Sequence, residues 1–530
     1  MSLSILLSRC ILPLALLTTP LQARFVNLAD LPKTLPFNDA LEKLLKDPKD
    51  KDAIAALKTA SDTGDKDAMF AYAFALQNGL GGLEAPKDKP TALNDEAKLL
   101  YKKSADAGNP LAVNNLGLLK LSTGEDVKSS VAIIEDAANA GNTRARITMG
   151  EMYLEGIGVA KDPEMSIRWL QRAQEAEPNE TSFLIARIQE SSNNQAAALA
   201  NFRKAADNKY LPAMIYLGNK LLNGQGLATD LEEARKWFTK AIEAGATGAK
   251  VNLGIISEAE AALENNKGDK GDAAKVTEHY QKALALYQEA AALKVPDAYT
   301  KIGYYYENGL GVAKDEAKAA EQYQLGSDAG QPASLYRLAL MNEEGRGVKE
   351  KNETEALKLF YTSARNGFAA AQTALAERYR NGKSGLLQDP IAALSWMERA
   401  YQSGDLSAQL QYANMLETGE AGGTNYKTAS ELYVDAAKKG SPVAMFQIAN
   451  MMEKGRGLPR DFVKAYGFLL ACSKMVSPSD PLGQRADERL KKLKKDMTGE
   501  EISKGDEFFK QLTGQSNAAP TPPPTKPKGK

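Results

Sequence analysis

The sequence predicts an all-α chain, a curved solenoid of antiparallel helix hairpins. Three observations predict it. A unit of about 36 residues recurs eleven times, small and apolar residues inside it keep helical spacing, and a glycine closes the first helix of most units. The anchors are Gly64, Gly108, Gly141, Glu177, Lys209, Gly245, Lys294, Gly330, Gly367, Gly404 and Gly440. Four residues on comes a small residue such as Ala68, Ala145, Ala298 or Ala444, eight on a larger apolar one such as Leu217 or Ile302, and nine on only alanine or glycine. These offsets share one helical face. The bare positions let a second helix approach closely. Fifteen after the anchor, Gly156, Gly224, Gly309, Gly345, Gly382, Gly419 and Gly455 repeat the cap first set by Gly79.

In chain order, residues 1–23 read as a secretory signal peptide, with apolar runs at Ile5–Leu7 and Ile11–Leu17, a helix-breaking Pro20 and a small Ala23 at the cut. A retained apolar anchor is the alternative. Residues 24–63 supply a helical pair, Asn38–Lys46 and Asp52–Thr59, that shields the first repeat. The eleven repeats fill 64–475. Within them Asp162-Pro163 and Asp389-Pro390 start second helices, and Asp230 with Glu233 makes a capping box. The second helices carry aromatic pegs between hairpins: Tyr101, Trp169, Phe202, Trp237, Tyr287, Tyr323, Phe360, Trp396 and Tyr433. Asn265–Asp272 reads as a flexible insertion in the sixth repeat, and Gly81–Asp95 as another. Residues 476–514 form a C-terminal helical cap, with one helix near Gln484–Lys495 and a last one opened by the Thr498/Glu501 capping box. The Pro/Lys-rich tail 515–530 is expected to be disordered.

Composition removes several function classes. The 530 residues hold 67 basic and 67 acidic side chains, one histidine and two cysteines. Zero net charge argues against nucleic-acid binding, and one histidine against zinc clusters. No metal, cofactor or transmembrane segment is expected. His279 lies mid-helix without a second histidine or cysteine, and Cys472 on an apolar side. The glycine pairs lack the strand and Gly-Lys-Ser of a phosphate loop. No catalytic residue stands out, and the chain is not expected to be an enzyme.

The repeats GNTRARITMGEMYLEGIGVAKDPEMSIRWLQRA and LGNKLLNGQGLATDLEEARKWFTKAIEAG resemble Sel1-like repeats, relatives of tetratricopeptide repeats. The resemblance covers roughly residues 64–475. The fourth repeat lacks the G-x-G loop and the sixth is stretched, so both look like generic helical hairpins. The closing KKDMTGEEISKGDEFFKQL is similar to the cap of bacterial members. The resemblance implies a right-handed superhelical solenoid, an adaptor role, and first helices lining the concave side.

With offsets four, eight and nine buried, offsets seven, ten and fourteen form a separate stripe. Its candidate partner-binding residues are Asn219, Asn223, Tyr304, Asn308, Arg337, Glu377, Asn381, Gln411, Asn414, Gln447 and Asn450. Asn115, Thr148, Glu151, Glu155, Tyr216, Lys301 and Glu344 occupy the same offsets. A carboxamide both donates and accepts, so a ladder of them holds an extended backbone whatever its sequence. In the run Tyr304-Tyr305-Tyr306, Tyr306 is expected in the core and Tyr304 on the stripe. The expected function is an exported, periplasmic or secreted scaffold that binds a protein or extended peptide, with possible cell-envelope association. A glycan- or peptidoglycan-binding envelope protein and a lumenal quality-control adaptor are the alternatives. Sequons at Asn179 and Asn352 bear on the last.

Overall fold

A computed structural model describes residues 28, 31, 35–85, 91–123, 126–224, 228–477 and 479–513. The expected signal peptide at 1–23 and the tail at 515–530 lie outside the described residues. Among the described residues there are 26 α-helices, two short 3-10 turns and no strand. The chain divides into two compact bodies, Met1–Leu286 and Tyr287–Lys530. Each is a stack of antiparallel hairpins in which a leading helix is followed by a trailing one.

Local chemistry sets the helix ends. Asp162, Asp230, Asp315 and Asp389 each accept a backbone N–H from the first turn of a trailing helix. Leading helices close on glycine in the left-handed conformation, as at Gly309 (φ +68°), whose N–H donates to Tyr305 O. All the anchors but Glu177 (φ −129°) end the trailing helices in the same left-handed conformation. Gly330 (φ +76°) donates to Ser327 O at 2.8 Å, and Gln331 donates to Gly326 O at 2.9 Å. Lys209 and Lys294 adopt this conformation without being glycine, at φ +63° and +60°.

Packing follows the repeat register. The residue at offset four is buried in all eleven repeats, from Ala68 and Thr181 to Ala298 and Ala444. So is the alanine or glycine at offset nine. The bare glycines make room for the trailing helix: a Cβ on Gly303 would lie 2.6 Å from the Tyr323 ring, on Gly218 2.7 Å from Phe238, and on Gly150 2.7 Å from Leu170. Trp169, Trp237 and Trp396 are therefore not the residues that enter these gaps. Leu170 and Phe238, the next residues, do so at Gly150 and Gly218, and Met397 shares a buried cluster with Ala376. Each indole lies alongside under a cation three residues on, with Arg172 at 4.6 Å, Lys240 at 4.2 Å and Arg399 at 4.7 Å.

Offset eleven is a further core position, filled by residues such as Met152, Ile256, Met341, Met415 and Met451. Tyr305 holds that place and is fully buried, while Tyr306 is half-buried beneath Lys318. Tyr305, which the sequence left open, is thus the deeper of the two, while Tyr306 packs against the edge of the core. Asn265–Asp272 is also not a loose insertion. Glu264 accepts the Asp272 N–H at 3.0 Å and pairs with Lys267, closing a 3-10 turn at Gly268–Lys270. At the far end Pro481–Lys495 starts on an Asp480 cap, and the Thr498/Glu501 capping box opens Gly499–Leu512. Phe508 there meets Phe468 edge-on at 5.3 Å, and Tyr466 donates to Asp506 at 3.1 Å.

Candidate functional site

The stripe runs along the leading helices, and its geometry is set by their register. Offset ten of one repeat faces offset seven of the next. In the N-terminal body Asn252 donates its amide to Asn219 Oδ1 at 2.9 Å. In the C-terminal body the Arg337 guanidinium lies 5.5 Å over the Tyr304 ring. Asn414 and Gln447 lie beside the Tyr433 hydroxyl, which burial and the neighbouring Glu417 carboxylate keep protonated. Asn450 accepts from Arg489 Nη1 at 3.1 Å, so the C-terminal cap covers it.

The remaining candidates are less closely joined. Asn223 and Asn308 turn back onto their own helices, donating to Asn219 O and Tyr304 O at 2.9 Å each. Offset fourteen is the last helical residue before the glycine cap, and a short amide there satisfies a carbonyl of the final turn. Asn381 holds the same place and is exposed, as is Glu377. Tyr304 is 37% exposed; Gln411 is half-buried. Asn115, Thr148 and Glu151 are buried, so this part of the N-terminal stripe is not an open surface.

The register also places groups that the sequence reading missed. Offset thirteen carries Gln77, Glu190, Glu258, Glu307, Glu343, Glu417 and Glu453. These groups accept from the tyrosine pegs: Tyr101 donates to Gln77 at 3.0 Å, Tyr323 to Glu307 at 2.7 Å and Tyr433 to Glu417 at 3.2 Å. They also pair with cations of the next repeat. Glu190 takes both Lys220 and the Tyr216 hydroxyl, and Glu343 takes Arg378, with Nε at 3.0 Å and Nη2 closer. Lys220 and Arg378 are buried at the eleventh offset, where other repeats have methionine or isoleucine. Burial would raise the Glu343 carboxyl, but hydrogen bonds from Arg378 and Ser384 hold it below the ordinary value. Reading the repeat at offset thirteen, with Tyr pegs and carboxylates in the same units, is the signal that reveals them.

His279 Nδ1 lies 3.3 Å from Glu260 Oε2, and Arg235 pairs with the other oxygen of that carboxylate. Burial pushes the Cys472 thiol up to about 11. Among the described residues no group of three histidine, cysteine or acidic side chains is placed to hold a metal ion. No helix there is long and apolar enough to cross a membrane.

Hairpins that meet through bare alanine and glycine positions, with leading helices closed by glycine, define a helical-repeat scaffold. The chain belongs to the Sel1-repeat family, a family of protein-interaction scaffolds: the Sel1 repeat model matches residues 66–109, 144–176, 211–245, 270–295, 296–331, 332–368, 369–405, 406–441 and 442–471. The intervals between the first three matches hold the hairpins Pro110–Ser122/Val127–Asn139 and Pro178–Ser191/Gln195–Asp207, two of the eleven repeats read from the sequence.

Similar proteins include the exopolysaccharide production negative regulator of Rhizobium meliloti, 31% identical over 206 residues, or 35% of this chain and 70% of that protein. Chitin synthase regulatory factor 3 of Schizosaccharomyces pombe is 27% identical over 48% of this chain, which spans only 26% of the yeast protein's length. An uncharacterized protein of Neisseria meningitidis is 28% identical over 48% of this chain and 51% of its own. Among solved structures, a protective antigen present in uropathogenic Escherichia coli strains, with an SLR fold, aligns over 90% of this chain and 99% of its own at 22% identity and a TM-score of 0.42.

Proposed function

We propose that the protein is an exported, non-catalytic adaptor that holds a partner protein through an extended segment laid along the leading helices of the C-terminal body. The observation that carries this reading is the pairing of offset ten with offset seven. It brings stripe side chains of neighbouring repeats together at Tyr304 with Arg337 and again around Asn414 and Gln447. An amide that makes one such bond keeps further donors and acceptors for a backbone laid beside it. The export part of the reading rests on the apolar segment at 1–23.

Several observations favour this over the other readings. The one stripe tyrosine of the C-terminal body that is exposed, Tyr304, has a cation over its ring, which leaves less aromatic surface for stacking a sugar. Asn352 caps a helix through Oδ1, accepting from Glu355 N at 2.9 Å, and Asn179 accepts from Asn208 Nδ2 at 3.0 Å. His279 is held against Glu260, and the Cys472 thiol is buried and protonated; neither belongs to the stripe. Relatives named as regulators of exopolysaccharide production and of chitin synthase are consistent with a protein that acts through others.

The test is photocrosslinking in the native cell from a reactive residue placed at Asn381 or Gln411, with the crosslinked site mapped on the partner. Crosslinks within one continuous protein segment are expected, and Asn414→Ala with Gln447→Ala should weaken them. Crosslinks to glycan alone would replace this reading with the sugar-binding one.

A further inference from the structure

The polar stripe does not stop at the last repeat. The cap helix Pro481–Lys495 meets the leading helix Pro442–Lys454 through the contact that joins leading helices within the repeats. Arg489 donates to Glu453 at 2.7 Å and to Asn450 at 3.1 Å, as Arg378 donates to Glu343. By that contact Arg489 takes the place of the eleventh offset. Arg485 then falls at the seventh, Glu488 at the tenth and Lys492 at the fourteenth, which are the offsets of the stripe. Arg485 lies 5.0 Å over the Phe446 ring, and Arg489 shares that ring at 5.6 Å.

Charge is unbalanced at this edge. Within the repeats, cations that reach a neighbouring hairpin are matched: Lys220 by Glu190, Arg346 by Glu307, Arg378 by Glu343 and Arg380 by Glu420. The cap helix carries six cations against Asp487 and Glu488, in a chain whose 67 basic and 67 acidic residues cancel. Arg485 and Lys492 are exposed and make no ion pair among the described residues. The same holds for Lys454, which follows Glu453 at the end of the facing helix. Glu453 itself is held by Arg489. The lysines of the last turn complement the helix dipole, but Arg485 stands in the second turn, where the dipole offers it nothing.

We infer that the cap end of the stripe receives an acidic segment of the partner polypeptide, its carboxylates taken by Arg485, Lys492 and Lys454. The edge adjoins Asn450, to which Arg489 is bonded, so a segment laid along the stripe runs onto it. Negative charge is what this edge lacks, and complementary charge is what selects a partner there. An anionic bilayer fits less well. The apolar side of the same helix, Ala486, Leu490 and Leu493, is buried in the C-terminal core and cannot enter lipid. This rests on the peptide-binding reading above and adds to it the charge of the segment and the end of the stripe that reads it.

The test uses the purified chain and two fluorescent peptides, one of alternating Glu and Ser and one with Gln in place of Glu, read by anisotropy. Wild type should hold the acidic peptide about fivefold more tightly, the scale of three exposed ion pairs, and the margin should shrink as salt is raised. Arg485→Gln with Lys492→Gln should remove most of that margin, with helicity by circular dichroism unchanged. Lys491→Gln with Lys495→Gln removes as much charge from a different face of the same helix and should keep the margin. Equal loss in the two double variants would show that net charge is read rather than this edge, and overturns the inference. Equal binding of both peptides by wild type overturns it too, while leaving peptide binding in place. Binding of neither peptide also overturns it, and the peptide reading is then decided separately by the crosslinks from Asn381 and Gln411. Cosedimentation with phosphatidylglycerol vesicles that Arg485→Gln with Lys492→Gln abolishes, without any preference for the acidic peptide, would assign the edge to lipid instead.

Discussion

Gly303 shows how one missing side chain decides where two helices meet. It sits mid-helix, where glycine is about 1 kcal/mol worse than alanine, so propensity alone favours replacing it. The Tyr323 ring argues the other way, because a Cβ on Gly303 would lie 2.6 Å from it. Gly303→Ala therefore sets a propensity gain against a close contact, and the two effects are of similar size. Gly303→Leu adds three more carbons that the fully buried Tyr323 has no room to admit. It should destabilise the chain by about 1–3 kcal/mol through overpacking, seen as a lower midpoint in thermal or urea unfolding. An unchanged midpoint would show that the ring of Tyr323 does not press on this position. The same position was legible in the sequence because the constraint falls on side-chain size alone, and only alanine and glycine meet it. The tryptophans were read as packing pegs and are so placed, Trp169 and Trp237 being buried and Trp396 meeting Tyr361 of the preceding hairpin, but which residue faces the bare glycine was not read from the sequence.

Helices in successive repeats are also joined by charge, and here the sequence was less readable. Arg378 occupies an offset held elsewhere by Met341, Met415 and Met451, and Glu343 an offset held elsewhere by Leu121, Leu154 and Leu222. A cation in a mostly apolar column looks like a solvated exception until its carboxylate is found in the preceding repeat, 35 residues away. A partly buried pair of this kind is costly to break and cheap to replace as a whole. Arg378→Met alone strands the Glu343 carboxylate and should cost about 2–4 kcal/mol. Adding Glu343→Leu, which gives both positions the residues of other repeats, should return stability to within about 1 kcal/mol of wild type, and a double-mutant cycle measures the difference. The pH dependence follows from the same pair. Because the folded Glu343 carboxyl is held below its ordinary value, its contribution is present above the unfolded pKa and is lost as pH falls through the lower folded one. The acid limb of unfolding should therefore flatten in the double variant. Singles and double that simply add would show that the two side chains do not interact.

At the scale of the molecule, a stack in which hydrogen bonds and ion pairs run from one repeat to the next passes stability along its length by nearest neighbours. The stripe was placed on the leading helices from the register, but its coverage by the cap was not, because Arg489 reaches Asn450 and Glu453 from a helix outside the repeats. In the C-terminal body that cap closes the stack. Phe508 rests on Phe468 at 5.3 Å and over Gly467, where a Cβ would lie 2.6 Å from its ring, and Tyr466 covers Gly505. Phe508→Ala removes a half-buried ring and should cost about 1–3 kcal/mol, below the range for a fully buried phenylalanine. If neighbours alone carry the coupling, the loss is graded. Amide hydrogen exchange should accelerate most in Phe462–Met475, less in Pro442–Lys454, and little in Pro332–Glu344, which lies three hairpins from the cap. Uniform acceleration across the C-terminal body would mean that its repeats unfold as one block, and the effect of a cap variant would then reach Tyr304 and Arg337 as fully as Asn414 and Gln447.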